Sequence, residues 1–121
     1  ELTMRMIIAG GRDFTNTESA ADYLIKLVEE NKIPDTPTII SGGARGADKV
    51  GENLAKMFDL PLEIYPADWN TYGKSAGYRR NTQMADTADV LVAFWDGKSR
   101  GTSHMISTMQ KQNKPVYVYK Y

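Results

Sequence analysis

The chain has 121 residues, 41% hydrophobic and 25% charged, which are the proportions of one globular domain with room for a core and no room for two. Its 15 Lys and Arg balance 15 Asp and Glu, so it lacks the basic surplus of a protein that binds nucleic acid through its overall field. With no cysteine and no apolar run near the roughly 20 residues of a membrane helix, a disulfide framework, a thiolate metal site and a membrane partner are excluded.

A cytoplasmic protein with no metal and no cofactor is expected, and Glu1-Leu2-Thr3 reads as a remnant ahead of a natural start at Met4. The run Met4-Arg5-Met6-Ile7-Ile8-Ala9 predicts a buried first strand ending in Gly10-Gly11, with Arg12, Asp13 and Phe14 just beyond it. Thr15 and Glu18 have capping-box spacing, and Ala21, Leu24, Ile25 and Val28 predict a helix over 16–31. Residues 38–41 form the second strand. Ser41-Gly42-Gly43-Ala44-Arg45-Gly46-Ala47-Asp48 then turns it into a second helix, whose inward face is expected at Ala47, Val50, Leu54, Met57 and Phe58.

Residues 60–65 predict a third strand, and 67–74 a long polar loop carrying Trp69 and Tyr72. A third helix spans 75 or 76 to 87, and residues 88–95 form the most apolar strand. A polar loop over 96–100 leads to a fourth helix opening at Gly101-Thr102 and reaching 113. Val116-Tyr117-Val118-Tyr119 alternates as an edge strand. Strand and helix alternate four times before the last strand. This order predicts an α/β fold with a five-stranded, mainly parallel sheet and helices on both faces. Ligands of such sheets bind at the carboxyl ends of the strands, which here carry residues 10–14, 41–48, 66–74 and 96–102.

Three constellations on that rim bear chemistry. Gly10-Gly11-Arg12 and the Ser41 to Gly46 turn each pair glycines with an arginine ahead of a helix, an arrangement suited to an anion. Neither has the Gly-x-Gly-x-x-Gly spacing of dinucleotide sites or the Gly-Lys-Ser/Thr of phosphate-binding loops, which disfavours a conventional NAD site or ATPase. On the third helix, Gly77, Arg80, Asn81 and Met84 share a face, so Arg80 requires an anionic partner, either Asp48 or Asp96 or a ligand phosphate; Arg79 lies one step round. Thr102 is either a helix N-cap or a phosphate ligand. His104 has no catalytic companion at a telling spacing, and Trp69 and Tyr72 either stack on a base or anchor their loop.

Taken together, Ile7 through Phe14, Ser41 through Asp48, Trp69-x-x-Tyr72-Gly73, Ala76-Gly77-x-x-Arg80-Asn81-x-x-Met84 and Gly101-Thr102 resemble the YspA/YpsA-related family of the SLOG superfamily. The resemblance implies a single Rossmann-like domain that binds a nucleotide or nucleotide-derived ligand as a sensor, sequestering protein or signalling module, in phage or bacterial settings. It implies ligand contacts at Gly10, Gly11, Arg12, Ser41, Gly42, Gly43, Ala44, Arg45, Gly46, Asp48, Trp69, Tyr72, Arg79, Arg80, Asn81, Gly101 and Thr102. The glycine loop is also similar to that with which DNA-processing protein A contacts single-stranded DNA, which gives one alternative partner. The Lonely Guy enzymes give another alternative, N-glycosidic cleavage of a nucleoside monophosphate. Their arginine matches Arg79 or Arg80 and their Gly-Thr pair matches Gly101-Thr102, but their glutamate position falls on Met105. A hydrolase would therefore have to use Asp48, Arg80 and Asp96. The helical faces do not forbid a homo-oligomer.

Overall fold

The computed structural model describes residues 4–121, so the reading of Glu1 to Thr3 as a remnant lies outside the described residues. The elements alternate as expected: β1 (Arg5–Gly10), α1 (Thr17–Glu29), β2 (Thr38–Ser41), α2 (Ala47–Met57), β3 (Leu62–Ile64), α3 (Trp69–Tyr72), α4 (Ala76–Thr87), β4 (Val90–Trp95), α5 (Arg100–Lys111) and β5 (Val116–Lys120). All four strand pairings are parallel, in the order β3-β2-β1-β4-β5. β1 and β4 are buried on both sides, which is why they read as unbroken apolar runs. Each face of the sheet carries its own core. Ile8, Ile39, Val92 and Phe94 meet α1 and α2, whereas Ile7, Ile40, Leu91 and Ala93 meet α4 and α5.

The chain order runs 3-2-1 on one side of the sheet and 4-5 on the other. The direction of winding therefore reverses between β1 and β4, and the crevice outside their carboxyl ends is where such sheets hold ligands. β1 and β4 are in register from Met6 opposite Val90 to Gly10 opposite Phe94. This brings residues 10–13 and 96–99 to one rim. β5 is an edge strand, as its alternation predicts.

Several local expectations are corrected. The helix cap of α1 is Asn16, whose side chain accepts the Ser19 N–H, and not a Thr15 capping box. Met57 and Phe58 do not face the sheet; they are 60% and 41% exposed. The inward stripe of α2 is Ala47, Val50, Gly51, Leu54 and Ala55. Its small members allow close approach: a Cβ on Gly51 would lie 2.9 Å from the Ile8 Cβ. β3 spans only Leu62–Ile64. The polar loop over 67–74 contains a turn of helix, α3, because Asp68 caps it by accepting the Thr71 N–H; a 3-10 turn (Gly73–Ser75) then leads into α4.

Candidate functional site

The two glycine turns touch each other through their backbones. Gly11 donates its N–H to the Phe94 carbonyl at 3.1 Å, and its own carbonyl accepts the Ala47 N–H that opens α2 at 3.0 Å. Gly46, at φ +76°, makes this possible: a Cβ there would lie 2.4 Å from the Gly11 oxygen and 2.5 Å from the Arg12 backbone. The turn after β1 and the turn after β2 are thus one structure, with Arg12 and Arg45 projecting from it.

The second turn is shaped from beneath by a buried polar pair. The Ser41 hydroxyl donates to Glu52 Oε2 at 2.9 Å and accepts the Gly43 N–H at 3.1 Å. Glu52 is buried, and Lys49 Nζ meets its other oxygen at 3.1 Å. Ser41 therefore holds the loop and does not point at a ligand. The sequence reading missed Glu52, whose available signal was its spacing: it follows Asp48 by one helical turn beside the apolar stripe.

Asp48 stands in the first turn of α2, 7% exposed, with Oδ2 accepting the Ala44 N–H at 3.1 Å. Burial pushes its pKa up to about 6, against the opposing pull of that N–H and of the Arg80 charge. The sign follows from linkage. A carboxyl raised above its ordinary value of 3.8 contributes stability below that value, and the contribution is lost as pH rises through about 6.

Arg80 meets neither of the carboxylates offered as its partner. Its guanidinium donates to the Gly42 carbonyl and, through Nε, to Asn81 Oδ1 at 3.1 Å, and no ion pair joins it to Asp48 or Asp96 within 4.0 Å. Burial holds its pKa below the usual arginine value. Asn81, itself buried, donates its amide to the Gly101 carbonyl at 3.3 Å and lies 3.3 Å from His104 Nδ1, tying α4 to the start of α5. His104 stacks on Tyr78, with ring centroids 4.3 Å apart, and burial lowers its pKa. This is a packed role, consistent with its isolation in the sequence.

At the start of α5 the N-cap is Ser99 and not Thr102. Asp96 Oδ1 accepts the N–H groups of Lys98 and Ser99 at 2.8 and 2.9 Å, which hold its carboxylate below the usual range. Thr102 is buried, with its hydroxyl 3.1 Å from that of Ser99. Among the described residues, the N–H groups of Gly101 and Thr102 donate to no protein acceptor.

These pieces enclose a cavity of about 590 Å³ at the strand ends. Of the residues singled out in the sequence, Gly10, Gly11, Arg12, Ala44, Arg45, Asp48, Trp69, Arg80, Asn81, Asp96, Gly101 and Thr102 line it. Ser41, Gly42, Gly43 and Gly46 lie behind it as the frame of the loop. Tyr72 and Arg79 also fall outside the lining: the Arg79 guanidinium sits 4.3 Å from the Tyr72 ring centroid and its Nε donates to the Ser75 hydroxyl. Trp69 does line the cavity, 52% exposed, with its ring edge over Gly77, where a Cβ would be 3.5 Å away. It does not anchor its loop in the core. Met105, 1% exposed, contributes apolar lining, and Asp13 and Lys74, from stretches expected on the rim, line the cavity with Tyr78 without having been named as ligand contacts. Asp13 is placed by Tyr121, whose hydroxyl donates to its Oδ1 at 2.6 Å. No cluster of His, Asp and Glu among the described residues has the makings of a metal site.

The comparisons with known proteins agree with this architecture. Residues 4–72 match the model of the family described as YspA, cpYpsA-related SLOG. The chain is 36% identical over 118 residues to the Gene 61 protein of Mycobacterium phage D29, covering 93% of both chains. Its fold is similar to the crystal structure of TM1055, a structural-genomics target, with a TM-score of 0.64 at 14% identity, over 95% of this chain and 72% of that one. The continuous match across the two glycine turns, together with the relative that spans nearly the whole sequence, places the chain in the YspA/cpYpsA-related SLOG family.

Proposed function

We propose that the cavity binds a nucleotide or nucleotide-derived small molecule and holds it without cleaving it. The observation that carries this reading is the set of Arg12, Arg45 and Arg80, all lining one cavity, none within 4.0 Å of a carboxylate among the described residues, in a chain of zero net charge. Arg80 is half-buried with no ion-pair partner, a costly state that a bound anion relieves, and the exposed Arg12 and Arg45 beside it add forked donors that a phosphate accepts two at a time. The free N–H groups of Gly101 and Thr102 at the start of α5 supply a further place for phosphate oxygens. Exposed Trp69 offers a face on which a base stacks, a contact of about 1–3 kcal/mol. The volume, about 590 Å³, lies within the ordinary range of small-molecule sites.

The preference for holding over cutting rests on the carboxyl groups. Met105 puts a thioether where N-glycosidic chemistry in the Lonely Guy enzymes has a glutamate, and Asp96 is held below the usual carboxylate range by two N–H groups on its Oδ1, which makes it a weak base. Neither supplies a good base beside the ligand, and Asp48, the remaining carboxyl of the hydrolase alternative, lines the cavity with one oxygen committed to the Ala44 N–H and is read as a ligand contact. The expected result of a thermal-shift screen against mononucleotides, cyclic nucleotides and ADP-ribose is a stabilisation of about 2.7 kcal/mol at 100 times Kd, or about 10 °C for a domain of this size, with the ligand recovered intact. No shift across these classes counts against nucleotide binding, and released base counts against a purely holding role.

A further inference from the structure

We propose that Asp48 shares a proton with the anion bound in this cavity: its carboxyl is protonated in the liganded state and donates through Oδ1 to a ligand oxygen held by Arg80. The proposal rests on reading the cavity as a nucleotide site and adds how charge is balanced inside it.

The geometry is specific to this residue. Asp48 Oδ2 is taken by the Ala44 N–H at 3.1 Å, whereas Oδ1 accepts no hydrogen bond among the described residues, and the side chain lines the cavity while 7% exposed. A Cβ on Gly42 would lie 2.6 Å from Arg80 Nη1 and 2.8 Å from Asp48 Oδ2. The missing side chain at Gly42 lets the guanidinium and Asp48 Oδ2 come close behind the cavity, yet they form no ion pair within 4.0 Å, and both side chains line the cavity in front. The charged groups around Asp48 are Arg80 from α4, Arg12 from the turn after β1, Glu52 from α2 itself and the neighbouring Arg45.

An ionised Asp48 would repel a phosphate laid on Arg80, whereas a neutral carboxyl would donate to it. In the free site, burial already brings the group to a pKa of about 6. A nearby anion raises it further, and Arg80, which favours the carboxylate when the cavity is free, is then engaged by the ligand. Binding at neutral pH therefore takes one proton from solvent onto Asp48. No bond other than that O–H forms or breaks. The affinity is greatest below the free-site value and falls as pH rises toward the value in the complex.

The test is calorimetric titration with ADP-ribose, whose pyrophosphate exchanges no proton between pH 6 and 8.5, in buffers of different ionisation heat. Uptake of about one proton is expected at pH 7, with Kd weakening by up to about tenfold per pH unit between 6.5 and 8. Asp48→Asn keeps an acceptor for Ala44 and a permanent donor for the ligand. It should abolish the proton uptake, flatten the profile and bind at least about tenfold more tightly than the natural protein at pH 8. AMP is the second probe, read as the difference between the natural protein and Asp48→Asn because its own phosphate titrates near pH 6. Binding that requires Arg80 but takes up no proton, or whose pH profile is unchanged in Asp48→Asn, overturns the proposal alone. Absence of binding by both probes overturns the nucleotide reading and this proposal with it.

Discussion

Arg80→Ala should weaken nucleotide binding by about 30-fold or more. Truncating one side of a desolvated, hydrogen-bonded charge contact costs about 2–5 kcal/mol, and each 1.4 kcal/mol is tenfold in Kd. Arg80 is half-buried, its guanidinium fixed by the Gly42 carbonyl and Asn81, so its donors are already aimed when a ligand arrives and little is lost in ordering them. Arg80→Lys should recover only part of the loss, because an ammonium keeps the charge but lacks the fork that spans the Gly42 carbonyl and an anion together. The check is calorimetric titration of both variants, with the thermal midpoint of each free protein measured beside it. A folded Arg80→Ala protein with undiminished affinity would remove Arg80 from the site.

The second large effect is on the frame of the site. Gly46→Ala should destabilise the domain by about 3 kcal/mol or more and lower its midpoint by about 10 °C. Two costs add there. The backbone at φ +76° and ψ −127°, outside the left-handed helical well and sparsely populated by residues with a side chain, costs about 1–3 kcal/mol, and the new Cβ meets the Gly11 and Arg12 backbone at 2.4–2.5 Å, which neither turn can yield without breaking the Ala47 to Gly11 hydrogen bond. Gly43→Ala is the informative comparison. Its φ is similar, +74°, but its Cβ would meet only the Ile64 Cγ2 at 3.1 Å, a half-exposed side chain free to move. It should cost about 1–2 kcal/mol. Equal losses at the two positions would mean that backbone conformation alone, and not the contact between the turns, governs the site.

How much of this was legible in the sequence depended on whether the cause was local. Ile7-Ile8-Ala9 and Val90 through Phe94 are buried on both faces and announce their strands without any knowledge of their neighbours. The glycine turns were equally legible, since Gly46 needs a positive φ wherever its partner lies. The topology followed from the alternation, and the gathering of polar turns on one rim followed from the topology. What escaped were contacts between distant residues of unlike chemistry. Arg80 was expected to meet either a carboxylate or a ligand phosphate; it pairs with no carboxylate, and a backbone carbonyl 38 residues away accepts from it. Glu52 reads as a solvated helix residue until the Ser41 hydroxyl is found above it at 2.9 Å. Tyr72 was grouped with Trp69 for its ring, but the neighbouring turn of α4 puts Arg79 over that ring and leaves Trp69 alone at the cavity. At the ends of helices, Asn16 stands where Thr15 was expected, and Ser99 takes the cap that was one of the two roles open to Thr102, because several cap-forming residues stood within a few positions and geometry chose among them.

The same distinction separates the two halves of the functional reading. The anion-binding half rests on charge and backbone geometry gathered at the strand ends, and the proposal that the ligand is held intact rests on Met105 and on an Asp96 kept a weak base by the N–H groups of its own turn. A base-releasing enzyme built on this frame would need a carboxylate at the Met105 position, or would have to use Asp48 from the cavity wall instead.

The most direct test of the central claim is a nuclear magnetic resonance titration of the isotopically labelled protein with AMP and ADP-ribose, following backbone amides and the tryptophan indoles. The account predicts that Gly11, Arg12, Ala44, Gly101, Thr102 and the Trp69 indole shift together and saturate with a single Kd. Shifts confined to other surfaces, such as the apolar groove beside Ile25 and Phe58, or no shifts with either nucleotide, would contradict it.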